Sequence, residues 1–278
     1  MIESLFILLF RLMAHLPLAL LHNLGAIAGW LAWWASPKYR RHFRLQIEQA
    51  GLAEHRRAAI AEAGKGLFEL PKIWLRPHEE VVERVVKVSG WELVEAACAA
   101  GRGVVLLTPH LGCFEIAAQY CAKFRPITVL YRRPKNARLT PLIESRGGAN
   151  VHLAPADLSG VRRLRKALRA GEVVGLLPDQ VPGNGEGVWV PFFGRPAYTM
   201  TLAARLAQTG ATVLMGYAER LPYGAGYHLQ MLAPQESPAD DLIERTAQLN
   251  RELETIIRRC PEQYFWGYNR YKGEAPAV

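Results

Sequence analysis

The first candidate catalytic residues are a histidine and a glutamate that are separated by four residues. They lie in the segment His110-Leu-Gly-Cys-Phe-Glu115. The apolar run Val104–Leu107 before them predicts a buried strand that ends at Thr108-Pro109. Residues five apart on one helix point about 140° away from each other. The pair can therefore meet only if His110 lies in the turn and Glu115 in the first helical turn.

A carboxylate beside an imidazole fixes its tautomer and stabilises its positive charge, as a general base requires. The spacing thus predicts a histidine base, His110, that is oriented by Glu115. The simpler alternative is a histidine that caps or packs against the helix.

Two more predicted strands, at 127–130 and 173–177, also run directly into polar residues. Ligands of a parallel sheet bind beyond the carboxyl ends of its strands. Three such ends in one chain therefore predict a catalytic site at that edge. The side chains concerned, besides His110, are Tyr131, Arg132 and Arg133 after the first of these strands and Asp179 and Gln180 after the second.

Strand-like and helix-like segments alternate along the rest of the chain, which favours an α/β fold with a mostly parallel mixed sheet flanked by helices. The predicted strands also include 85–88, 188–193, 212–219 and 227–232. The predicted helices are 46–76, 90–100, 116–123, 139–145, 160–170, 198–209 and 240–259.

The N-terminal part differs most in composition from the rest of the chain, because residues 4–34 carry only one formal charge, at Arg11. Pro17 divides it into two apolar helices, 2–16 and 18–35, each short for a full crossing of about 20 residues. The basic segment 38–44 follows and favours anionic headgroups on the cytoplasmic side. We therefore predict a membrane-anchoring unit at 1–36 and an α/β domain at 37–278. The alternative is a helical hairpin buried in a soluble fold.

Composition narrows the possible partners and the possible chemistry. The chain has 278 residues, half of them hydrophobic, a formal net charge of +9 and four cysteines without a Cys-x-x-Cys pair. The positive charge favours an acidic partner, which can be a nucleic acid, an anionic membrane surface or an acidic protein. The sequence shows neither a Walker loop nor the Rossmann spacing, and it also lacks Gly-x-Ser-x-Gly and His-Glu-x-x-His. These absences argue against nucleotide binding, ordinary serine hydrolases and zinc peptidases.

Several blocks resemble the lysophospholipid acyltransferase superfamily, and within it the late acyltransferases of lipid A biosynthesis. The resemblance covers nearly the whole chain and the blocks come in the family's order. They are the apolar N-terminus, His110-x4-Glu115, Tyr131-Arg132, Asp179-Gln180 with Val190-Pro-Phe-Phe-Gly194, and Pro261-Glu-Gln-Tyr-Phe-Trp-Gly-Tyr-Asn-Arg-Tyr-Lys272.

The resemblance implies transfer of a fatty acyl chain from a thioester to a hydroxyl of a membrane glycolipid, such as a lipid A precursor. The implied donor is acyl carrier protein or, alternatively, acyl-CoA. The implied location is the inner membrane, with the catalytic domain facing the cytoplasm. No metal, cofactor or nucleic acid is implied.

In this interpretation His110 is the base and Glu115 orients it. The arginines hold phosphate by bidentate contacts, although a solvated basic face would have the same composition. Asp179 and Gln180 contact the acceptor sugar or support the base. The predicted substrate-binding residues are Gly112, Tyr131, Arg132, Arg133, Arg146, Asp179 and Gln180.

Three alternatives remain open from the sequence. A basic membrane-anchored scaffold would catalyse nothing, and an acyl-thioesterase would need no acceptor. Within a transferase, Cys113 could accept the acyl group in a covalent two-step mechanism. We favour direct transfer, because a small, weakly polar cysteine suits a buried helix start.

Overall fold

The computed structural model describes residues 2–133, 140–146 and 150–273, with the side chains of 2–6 excepted. The strands are β1 Val85–Ser89, β2 Val104–Leu107, β3 Ile127–Tyr131, β4 Val151–Pro155, β5 Val173–Leu176, β6 Gly187–Phe192, β7 Arg195–Met200, β8 Thr212–Arg220 and β9 Tyr227–Leu232. Seven of these strands form one sheet, in the order β1-β9-β8-β2-β5-β3-β4.

Five neighbouring strands, from β8 to β4, run parallel, and β9 is antiparallel to β8. The α/β class with a mostly parallel mixed sheet is thus confirmed. The helices are α1 Ile2–Met13, α2 Leu18–Ala35, α3 Pro37–Gln49, α4 Arg56–Leu75, α5 His78–Val82, α6 Trp91–Ala99, α7 Phe114–Phe124, α8 Thr140–Glu144, α9 Leu158–Arg169, α10 Leu202–Ala207 and α11 Leu242–Ile257.

Strands β2 and β5 form the centre of the sheet and are buried along their whole length. Side chains alternate between the two faces of a strand. Val104 and Leu106 accordingly pack in the cluster with α6 and α7, whereas Val105 and Leu107 pack with α9 and α11. Both faces of the sheet are therefore covered, and its carboxyl edge is left for a site.

Helix α2 packs closely against α4 through glycines. A Cβ atom at Gly64 would lie 1.9 Å from the carbonyl oxygen of Gly25, and one at Gly29 would lie 2.2 Å from that of Ile60. Only glycine lets two helix backbones approach so closely. The α2 helix is thus fixed along the side of the α/β domain.

A buried ionic cluster joins α2, α4 and the end of β8. The Arg220 guanidinium donates to both carboxylate oxygens of Glu69, at 2.8 and 2.7 Å, and to Glu62 at 2.6 Å. The His22 ring and the Tyr227 hydroxyl contact the same Glu69 carboxylate at 3.1 and 2.9 Å. This cluster connects the N-terminal helices to the sheet.

The structure corrects two sequence predictions of secondary structure. The helix predicted at 198–209 begins only at Leu202, since residues up to Met200 form β7, which pairs with β6. The helix predicted at 46–76 is interrupted around Gly51, whose φ is +70°. Strand β4 was not predicted. The helix predicted at 139–145 is α8, and Leu139 lies outside the described residues.

Candidate active site

The carboxyl ends of the adjacent strands β2, β5 and β3 form the site. His110 follows β2, Asp179 and Gln180 follow β5, and Tyr131 ends β3. Because these strands are parallel neighbours, their ends meet at one edge of the sheet. The structure therefore brings together the side chains that the sequence had predicted there, with the exception of Arg133.

Asp179 is the residue that holds His110. Its Oδ1 lies 2.8 Å from Nδ1 of the imidazole, and its Oδ2 accepts from the backbone N–H of His110 at 2.9 Å. The carboxylate is 2% exposed. Burial would raise the pKa of Asp179, but the charge and hydrogen bonds of His110 hold it below its ordinary value. An ionised Asp179 can only accept, so Nδ1 of His110 donates to it, and Nε2 is the ring nitrogen left for other partners.

The free nitrogen of the imidazole faces Gln180. The carboxamide Nε2 of Gln180 lies 3.1 Å from Nε2 of His110, to which it donates. The imidazole is also flanked by the rings of Phe114 and Phe265, with centroid distances of 4.8 and 6.4 Å. Both nitrogens thus have a partner, and the ring has a fixed orientation.

Glu115 makes no hydrogen bond with the imidazole, which corrects the expectation that it orients His110. It lies in the first turn of α7, as predicted, but its Oε1 accepts from Nη1 of Arg146 at 2.8 Å. The guanidinium of Arg146 lies over the rings of Trp74 and Tyr131, at 5.4 and 6.0 Å. Glu115 therefore fixes a cation in the wall of the site rather than the base.

A cavity of about 270 Å³ opens in front of the imidazole. Arg132 and Arg146 bring positive charge to its lining, and Arg132 has no carboxylate partner among the described side chains. Arg133 is exposed and lies outside the lining. The apolar part of the lining is Trp74, Phe114, Leu130, Ile143, Ala156, Leu177, Val181, Pro182 and Met200. Such a site can hold an apolar chain beside an anionic group.

Gly112 and Cys113 shape the turn and do not face the cavity. Gly112 has a φ of +59°, and a Cβ atom there would lie 1.9 Å from the carbonyl oxygen of Ala218. Cys113 is buried, and its burial raises the pKa of the thiol well above the ordinary value. A buried, protonated thiol is a poor nucleophile.

The C-terminal block supports the catalytic turn, a role that the sequence prediction did not include. The carbonyl of Gln263 accepts from the N–H of Gly112 at 3.1 Å, and the N–H of Phe265 donates to the carbonyl of His110 at 3.0 Å. Tyr268 accepts from the N–H of Val181, just after Gln180, at 3.0 Å. The density of aromatic residues in 261–272 was the available signal of a buried segment.

Comparison with known proteins identifies the family. A family profile described as "Bacterial lipid A biosynthesis acyltransferase" matches residues 1–273. The chain belongs to this family. It is therefore an acyltransferase, which excludes the alternative of a non-catalytic scaffold.

Individual relatives of this acyltransferase agree with the assignment. It is 30% identical to a lipid A biosynthesis lauroyltransferase of Escherichia coli, over 96% of this chain and 90% of the relative. It is 29% identical to a palmitoleoyltransferase of lipid A biosynthesis from the same organism, over 79% of this chain and 73% of the relative. It is also 32% identical to a phosphatidylinositol mannoside acyltransferase of Mycobacterium tuberculosis, over 53% of this chain and 48% of the relative.

Proposed function

We propose that this acyltransferase moves a fatty acyl chain from an acyl-carrier-protein thioester to a hydroxyl of a lipid A precursor. The observation that carries the proposal is the imidazole of His110, with Nδ1 bound to Asp179 and Nε2 directed to the cavity side where Gln180 lies. An acidic carrier protein suits the net charge of +9 as the donor. The relatives acylate glycolipids by name, which supports a glycolipid acceptor.

Transfer occurs in one step within a complex of both substrates. The acceptor hydroxyl displaces the Gln180 amide from Nε2 of His110 and gives its proton to that nitrogen. Its oxygen forms the new ester bond with the thioester carbonyl carbon, and the carbon–sulfur bond breaks. The proton on Nε2 then passes to the leaving sulfur, so His110 returns to its starting state. A positioned base contributes about 10²–10⁴ in rate.

Asp179 maintains the reactive tautomer of His110. It also stabilises the imidazolium ion that exists while both ring nitrogens of His110 carry a proton. Arg146, fixed by Glu115, supplies positive charge in the cavity wall, where the carbonyl oxygen or a substrate phosphate carries negative charge. Arg132 is exposed at the cavity and is available for bidentate contact with phosphate.

The site of action in this proposal is the cytoplasmic side of the inner membrane. The apolar helices α1 and α2 and the basic segment 38–44 support it. An acyl carrier thioester is a cytoplasmic donor, and the glycolipid acceptor is embedded in the membrane. The enzyme then works where the two meet.

Acceptor dependence tests the proposal. Purified enzyme is incubated with a radiolabelled acyl-carrier thioester, with and without a lipid A precursor in detergent, and both thioester and lipid are followed. We expect thioester consumption to require the lipid, and the lipid to gain the mass of one fatty acid minus water. Equal consumption without the lipid, with free fatty acid as product, would instead establish a thioesterase.

A further inference from the structure

The exposed face of α2 is an apolar stripe. Its members recur at intervals of four and three residues, so they lie on one side of the helix. Among the described side chains of α2, every exposed one except Asn23 is apolar. The stripe consists of Leu20, Leu24, Ile27, Leu31 and Trp34, which are 40–64% exposed.

The opposite face of α2 packs against the α/β domain. Gly25 and Gly29 contact the backbone of α4, and the His22 ring lies 3.1 Å from the buried Glu69 carboxylate. Just before α2, the carbonyl of Ala14 accepts from Lys72 of α4 at 3.1 Å. These contacts extend along most of the helix, so α2 cannot separate from α4 without breaking them.

Within the described residues, α2 is the one helix whose length and mean hydropathy of 1.2 would allow a membrane crossing. Its 18 residues span about 27 Å at 1.5 Å per residue, slightly less than the bilayer core. A crossing would also carry α4 into the hydrocarbon, together with Glu62, Glu69 and Lys72. Charged side chains at that depth are costly.

We propose that α2 lies along the membrane surface with its stripe in the lipid, and that it does not span the bilayer. Both ends of the helix then face the cytoplasm. This inference rests on the proposed function, since a lipid acceptor requires a membrane-bound enzyme. The occupant of the stripe is a lipid bilayer with anionic headgroups.

Charge complementarity favours a bilayer over a second copy of the chain. The stripe ends at Trp34, a residue typical of the membrane interface, and exposed Lys38, Arg41 and Arg44 follow directly. An interfacial helix combines such an apolar face with neighbouring basic residues.

The lipid-facing surface also continues to the active site. Helix α1 exposes Leu8, Leu9 and Leu12, each at least 50%. Its Phe10 packs on Trp74, with a centroid distance of 5.8 Å, and Trp74 lies against Arg146 in the wall of the catalytic cavity. A lipid that leaves the bilayer beside α1 therefore reaches the cavity wall directly.

Cysteine accessibility tests the topology. Arg11→Cys and Lys38→Cys lie on either side of α2 at exposed positions, and the four native cysteines are buried. Spheroplasts and lysed spheroplasts are treated with a membrane-impermeant maleimide, with the unsubstituted protein as control. We expect both sites to react only after lysis. Labelling of Arg11→Cys in intact spheroplasts would show that α2 spans the membrane and would overturn the proposal.

Vesicle flotation tests the occupant. Wild type, Ile27→Glu and the control Leu158→Glu, at an exposed leucine of α9, are mixed with vesicles of phosphatidylcholine and phosphatidylglycerol. Circular dichroism checks the fold of each. We expect Ile27→Glu to reduce the bound fraction about tenfold, and Leu158→Glu to float like wild type. Unchanged flotation of Ile27→Glu, together with loss of a dimer in light scattering, would assign the stripe to a second copy.

Both measurements are independent of catalysis. If wild type transfers no acyl group but floats as expected, and both cysteine variants react only after lysis, the proposed function fails and the helix placement stands. If transfer is observed but Arg11→Cys is labelled from outside, only the placement fails.

Discussion

At the scale of single residues, the orientation of His110 by Asp179 determines what the site can do. The imidazole has a buried carboxylate on one nitrogen and a neutral amide on the other. In the proposed mechanism this imidazole begins the reaction as the base. Glu115 supports Arg146 instead, so the two carboxylates have separable effects.

Asp179→Asn and Glu115→Gln distinguish these effects. We expect Asp179→Asn to lower kcat by about 10²-fold or more, because the imidazole loses its tautomer partner. Glu115→Gln should mainly raise KM and leave kcat nearly unchanged, because it loosens Arg146 in the cavity wall rather than the imidazole. Steady-state kinetics of both variants measure kcat and KM, and a loss of kcat only in Glu115→Gln would reverse the roles.

Cys113→Ala tests the direct mechanism. The thiol is buried and its pKa is raised by that burial, so we expect the variant to keep most of its activity. Wild type incubated with labelled donor and no acceptor should carry no label after denaturation. Stoichiometric label that disappears in Cys113→Ala, with ping-pong kinetics, would contradict direct transfer.

At the scale of elements, the catalytic turn depends on segments far from it in sequence. The Arg220–Glu69 cluster joins β8 to α2 and α4. Residues 263–265 hold the catalytic turn through backbone hydrogen bonds to His110 and Gly112. Gln263 connects the two, because its side chain binds the backbone of Arg220 at 2.7 and 2.8 Å.

Glu69→Gln measures how much the cluster contributes. Burial would raise the pKa of Glu69, but Arg220 and His22 lower it to about 2. A carboxyl group whose pKa is lower in the folded state than in the unfolded state stabilises the fold at any pH above its pKa in the unfolded state. This stabilisation is lost as the pH falls towards the pKa in the folded state. We expect the variant to lose about 3–5 kcal/mol at pH 7.

The difference in unfolding free energy between wild type and Glu69→Gln should shrink as the pH falls from about 4.5 towards 2. Urea titrations at several pH values measure it, with the exposed Glu92→Gln as the matched control. A difference that is the same at pH 7 and pH 3 would mean that the charge of Glu69 does not contribute.

Features that depend on local sequence pattern could be predicted from the sequence, whereas features that depend on strand pairing could not. Strand β2, the turn at His110 and the start of α7 follow from apolar runs and a proline, so they were predictable. The sequence allowed Asp179 to support the base or to contact the acceptor sugar, and only the pairing of β5 with β2 decides that it reaches His110. Strand β7 resembled the start of α10 and is a strand because it pairs with β6.

At the scale of the whole molecule, apolar surface and positive charge lie next to each other near the N-terminus. We expect the enzyme in the membrane fraction and resistant to washing with 1 M salt. Screening weakens the contacts of Lys38, Arg41 and Arg44 but not the burial of apolar side chains. Immunoblots of washed membranes measure this, and quantitative release by salt would mean that the basic segment alone binds the membrane.

The central claim is that His110 is the base for acyl transfer to a glycolipid. The most direct test is the initial rate of acylated-lipid formation, followed by mass spectrometry, for wild type, His110→Ala and the surface control His152→Ala. We expect a loss of at least about 10²-fold for His110→Ala with an unchanged circular dichroism spectrum, and wild-type rates for His152→Ala. A folded His110→Ala enzyme that kept more than about a tenth of the wild-type rate would contradict it.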